Sequence, residues 1–136
     1  MARRNSSLGF LGRFGRSEDL RALDAAFRAV DLHPAQVPDG AKLTVVNLMK
    51  DQWPHGEPPS DAYPPVAELF GFCLLGRTHF TNVNGPERAA AAERRLEMAL
   101  ERSESFDAQL ILLALHAKLI QLALRDEYGL SADTGG

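Results

Sequence analysis

From Leu110 to Leu124 the chain runs through fifteen residues broken only by His116, Lys118 and Gln121. A stretch this apolar has to leave water, and its length decides how. It falls short of the ~20 residues that span a bilayer and holds a charged residue inside. The expectation is therefore a buried helix. Ser105 is a ready N-cap, Asp107 falls in the first turn, and Gly129 is a natural stop. These signals predict one long helix from Phe106 to Tyr128. At 100° per residue, Asp107, Ile111, Ala114, Lys118, Gln121 and Arg125 line a narrow strip. That strip is the expected solvent face, since the rest is apolar except for Gln109 and His116. A helix apolar nearly all round is a central core helix or an oligomer interface.

The remaining chain supplies helices to surround it. Leu20, Leu23, Phe27 and Val30 recur at spacings of 3, 4 and 3. With Ser17 as cap and Glu18 and Asp19 in the first turn, they predict a helix over Glu18–Asp31 that stops at His33-Pro34. Val37 to Gly40 reads as a turn. Ala41 to Gln52 reads as a helix, because a lone strand over Lys42–Val46 would have no pairing partner. Trp53 to Pro65 holds five prolines in thirteen residues and is expected to be largely extended loop, at least to Ser60. Pro64 and Pro65 open a helix that runs to Leu75 and ends at Gly76. Arg77 to Asn84 is expected to be a loop. Asn84-Gly85-Pro86 starts a helix to about Arg102, with Ala89, Ala92, Leu96, Ala99 and Leu100 as its buried stripe.

The expected fold class is all-α: a compact single-domain bundle of about five helices with a long apolar C-terminal helix. Its 136 residues fit one domain. A domain of that size buries about two-thirds of its unfolded surface, enough for a core without staples. The expected divisions are a flexible basic segment over 1–16, a helical domain over 17–130, and a disordered tail over 131–136.

Charge narrows the function classes. The first sixteen residues carry four arginines and no acid, so the remainder holds −7 of an overall −3. A body of that charge is a poor match for a phosphate backbone, and nucleic-acid binding is not expected. Cys73 is the only cysteine and lies in the apolar run Leu69–Leu75. It reads as a buried, inert thiol in a chain from a reducing compartment, here taken as the cytoplasm. No secretory leader is evident. Arginine outnumbers lysine twelve to three, as a GC-rich bacterial genome would produce.

No catalytic set can be named. His33, His55, His79 and His116 form no i,i+3 or i,i+4 pair, and no HExxH, CxxC, phosphate loop or GxSxG elbow occurs. No metal and no cofactor is expected. Two regions stand out. The loop with Trp53, His55, Glu57, Asp61 and Tyr63 joins exposed aromatics to prolines, a pattern that can hold a ligand or peptide; His116 is the other candidate ligand contact. The N-terminal segment interleaves Arg3, Arg4, Arg13 and Arg16 with Phe10 and Phe14, which suits a protein groove or weak contact with an anionic membrane. Glycines 9, 12 and 15 weaken any helix there. The expected function is a non-enzymatic interaction or regulatory module, using its apolar last helix for a protein partner or self-association. The alternative is a small helical enzyme or ligand-binding protein, with an inter-helix pocket near His116 and the Trp53–Tyr63 loop.

Overall fold

The computed structural model describes the backbone over residues 7–130 and side chains from residue 18 onward. Arg3, Arg4 and the 131–136 tail lie outside the described residues, as do the side chains of Phe10, Arg13, Phe14 and Arg16. The described chain is all-helical: α1 (Ser7–Ala29), α2 (Asp39–Asp51), α3 (Tyr63–Leu75), α4 (Arg77–Asn84), α5 (Pro86–Glu101), α6 (Phe106–His116) and α7 (Leu122–Tyr128). Short 3-10 turns at Pro34–Gln36 and Ser60–Ala62 lead into α2 and α3. Among the described residues there are seven helices rather than five.

The central helix is α3. Its only charged residue is Glu68, and nine of its thirteen residues are buried. It packs against α1, α4, α5 and α6. Phe70 stacks on Phe27 of α1 at 5.9 Å, and Phe72 meets Phe80 of α4 edge-on at 5.7 Å. Gly71 permits this closeness: a Cβ there would stand 2.9 Å from Val30 Cγ2 and 3.2 Å from Phe80 Cε2. Ion pairs fasten α2 to α1, with Lys42 Nζ 3.1 Å from Asp24 Oδ1 and Lys50 Nζ 3.1 Å from Asp19 Oδ2.

Three expectations about helix limits are corrected. First, α1 begins at Ser7, not at a Ser17 cap. Once a helix is nucleated, each further residue adds a hydrogen bond, so three glycines weaken this stretch without ending it. Second, Arg77–Asn84 is helical rather than loop. Its Thr and Asn content hides it, but Phe80 is fully buried and the Thr81 hydroxyl donates to Arg77 O at 2.7 Å. Gly76 holds it at a sharp corner to α3, at φ 89 and ψ 161, a conformation essentially reserved for glycine.

Third, the long C-terminal helix is broken. α6 stops at His116, and Lys118 turns left-handed at φ 62. Lys118 N donates to Leu115 O at 3.0 Å and Leu119 N to Ala114 O at 2.9 Å, the paired bonds of a Schellman stop. The break lets Ile120 turn into the core and brings Gln121 to the end of α3. There Gln121 N donates to Cys73 O at 3.0 Å, and Gln121 Nε2 donates to Leu74 O at 2.8 Å. An unbroken helix could not deliver both donors to carbonyls that α3 leaves without helical partners.

The expected solvent strip is corrected too. Its first half turns inward, where Arg95 of α5 grips Asp107 with two bonds, at 3.0 and 2.9 Å, while Lys118 and Gln121 are exposed as expected. Ile111 and Ala114 are buried, while Gln109, Leu112 and His116 face water. On α5, Ala89, Ala92, Leu96 and Ala99 are buried as expected, but Leu100 is exposed. No described helix is long and apolar enough to cross a membrane.

Candidate interaction surface

Rolling α6 in this way leaves a wet apolar seam between α5 and α6. Ala99, Leu100 and Ser103 form one wall of a groove, Ala108, Leu112 and Leu115 the other, and Leu130 closes one side. Its volume is about 190 Å³, below the size of ordinary small-molecule pockets. Ser103 is its only polar side chain. Leu112 is 53% exposed and Leu100 is 42% exposed. A lone exposed leucine is ordinary, but two flanking one groove make a patch. Exposed carboxylates neighbour its lining residues in sequence: Glu97 lies one turn before Leu100 on α5, Glu101 follows Leu100 at the helix end, and Glu104 follows Ser103 in the turn to α6. Arg102 lies in the adjoining cleft, which shares Ala99 with the groove and is lined by Arg95 and Asp107.

A polar clasp fixes the chain end that supplies Leu130. Arg77 donates to Glu127 Oε1 at 2.8 Å and forms a close pair with Glu93. The Tyr128 hydroxyl lies 2.9 Å from Glu93 Oε2 and 3.1 Å from Glu97 Oε2, with one proton to donate between them. The Arg77 bond holds the Glu93 carboxyl below its usual range. Partial burial and then the two glutamates push the Tyr128 hydroxyl up. A larger cleft of about 430 Å³ lies between α4 and the α6–α7 link, lined by Arg77, His79, Asn82, Gln121 and Leu124 among others. Arg77, its strongest cation, is already neutralised by carboxylates on α5 and α7. His79 Nε2 lies 3.5 Å from Asp31 Oδ2.

The residues singled out in the sequence divide between core and surface. Tyr63 is 5% exposed and its hydroxyl donates to Asp19 Oδ1 at 3.0 Å, so it belongs to the core. Burial first, and then Asp19, raises the pKa of that hydroxyl. Trp53 is 36% exposed, while His55, Glu57 and Asp61 are exposed. His116 faces water at the C-terminal end of α6. Trp53, His55, Tyr63 and His116 line neither of the two clefts above, nor the clefts beside Arg95, Glu68 and His33. Cys73 is buried, and burial pushes its thiol up to about 12, the opposite of a nucleophile's setting. His33 has a local task, its Nδ1 accepting from Ala35 N at 3.0 Å. Among the described residues no three His, Cys, Asp or Glu side chains converge as a metal site would need. The Leu100–Leu112 seam and the Arg77 clasp were not signalled by any motif, because both arise from how helices roll against one another.

Compared with protein families, curated proteins and solved structures, the chain matches none.

Proposed function

We propose that this chain is a protein–protein interaction module whose contact surface is the groove between α5 and α6. The observation that carries this reading is the pair of wet leucines, Leu100 and Leu112, on either wall of an apolar groove. Burying each in a partner would recover on the order of 1–2 kcal/mol. The groove is apolar, small and without a convergent polar pair, so it suits the anchor side chains of a protein better than a substrate. The basic N-terminal segment, with Arg3, Arg4, Phe10, Arg13, Phe14 and Arg16, is the second contact. A lone buried thiol suits the reducing cytoplasm in which such a module would work.

Leu112→Glu tests the reading. The position is mostly in water, so thermal stability should move by no more than about 0.5 kcal/mol. Co-purification from the native host should give a stoichiometric protein with the wild-type chain and lose it with the variant. Equal recovery with both chains would sink the proposal.

A further inference from the structure

We infer that the occupant of the α5–α6 groove is the basic apolar segment of a second copy of this chain, residues 8–16. The inference rests on reading that groove as a contact surface. It begins with charge: four cations and no acid in the first sixteen residues, against −7 in the rest. Within the segment, Leu8, Phe10, Leu11 and Phe14 alternate with Arg13 and Arg16. The groove offers the complement. Its lining is apolar but for Ser103, and exposed Glu97 and Glu101 on α5 and Glu104 in the turn after it flank the lining residues Leu100 and Ser103 in sequence. Glu97 already lies 3.1 Å from the Tyr128 hydroxyl, which leaves Glu101 and Glu104 as the carboxylates best placed to meet guanidinium groups.

The backbone points to a second molecule rather than to the chain's own groove. α1 is one continuous helix from Ser7 to Ala29. Residues 7–16 therefore extend its axis by about 15 Å, from a described part of α1 that packs on α2 and α3 rather than along the α5–α6 seam. In a register of 100° per residue, positions 10, 11 and 14 share one face of that helix and positions 13 and 16 another. An apolar face beside a basic one is the pattern that enters an acid-rimmed apolar groove. Segment and groove are different surfaces, so two copies exchanging segments fill both grooves and close a symmetric pair.

The experiment combines light scattering of the full chain with titration of a labelled peptide of residues 2–16 into it. The wild-type chain should have the mass of a dimer at low salt and dissociate as salt rises. The peptide should bind, and Leu112→Glu should weaken it by about tenfold or more. Arg13→Glu with Arg16→Glu should abolish self-association, as should Glu101→Arg with Glu104→Arg. The four changes together should restore it, an outcome that misfolding cannot produce. A monomeric chain that leaves the peptide unbound overturns the inference, as does a charge swap without rescue. So does a peptide that ignores the chain but sediments with vesicles of phosphatidylcholine and phosphatidylserine. If self-association and peptide binding are absent but Leu112→Glu still strips a host protein from the chain, segment exchange is refuted and the interaction module stands. If Leu112→Glu also changes nothing in the host, both readings fall.

Discussion

Lys118 carries a long side chain on a left-handed backbone, φ 62, where a Cβ crowds the following carbonyl. The same conformation recurs at Asp31, φ 68, and at Gly129, φ 65, each at the end of a helix. At Asp31 the bonds repeat: Asp31 N donates to Arg28 O at 3.0 Å and Leu32 N to Phe27 O at 2.9 Å. Of these three stops only the one at Lys118 was not legible in the sequence: glycine advertises the left-handed state at 129 and His33-Pro34 bounds the helix near Asp31, whereas lysine gives no signal. That is why the helix expected over Phe106–Tyr128 overran its break. Lys118→Gly should relieve the strain and raise stability by about 0.5–1 kcal/mol, after allowing for the freer unfolded chain. Lys118→Ala, which keeps the Cβ, should show no such gain. Urea unfolding of the three proteins checks this, and equal midpoints would show that the left-handed turn is not strained.

At the scale of elements, the legible helices were those bounded by strong punctuation. α3 runs from Tyr63 to Leu75, as its opening prolines and closing glycine require, and α5 and the start of α6 follow their own signals. α4 escaped notice because eight residues rich in Thr and Asn carry too little periodicity, and one buried phenylalanine holds them. The interior role assigned to the C-terminal helix belongs to α3. Its last carbonyls depend on Gln121, forty-seven residues beyond Leu74. Gln121→Ala removes the donor to Leu74 O and should cost about 1–2 kcal/mol. Hydrogen exchange should locate the loss at the α3–α4 corner and in α7. Protection changes confined to residues near 121 would show that this cap does not support α3. The side chain also lies close to the corner itself, since a Cβ on Gly76 would stand 3.3 Å from Gln121 Cγ.

Across the whole molecule, polar groups join helices that are well separated in sequence. The Arg77–Glu93–Tyr128 clasp ties α4, α5 and α7 together. None of its partners was predictable, because they lie up to fifty-one residues apart and no local rule relates them. Its pH behaviour follows from sign. Glu93 has a folded pKa below its ordinary 4.5, so its contribution is present above that value and is lost as pH falls through the lowered one. The Tyr128 hydroxyl is raised from 10, so its contribution holds below pH 10 and fades as alkali ionises it. Between these limits the clasp stays intact. Glu93→Gln should therefore lower the melting temperature near pH 7 and narrow its gap to wild type below about pH 4. A gap independent of pH would mean that the carboxylate charge does not hold α7. The expectation of an all-α fold class holds for the described residues, which contain helices and no strand. The candidate seam was not legible, since it depends on how α6 is rotated: Leu110, Ile111, Ala114 and Leu115 turn inward while Arg95 of α5 holds Asp107.

The bond between Gln121 and the end of α3 also has a meaning in time. A ribosome adding about 5–20 residues per second needs several seconds to travel from Leu74 to Gln121. Through that interval the most apolar helix of the bundle is already made, but its C-terminal carbonyls still open to water. α3 can dock early against α1, yet its end is sealed only when the chain returns from far downstream. The interior is thus laid down first and closed last, and the nascent chain passes through a stage in which its central helix is its least finished part.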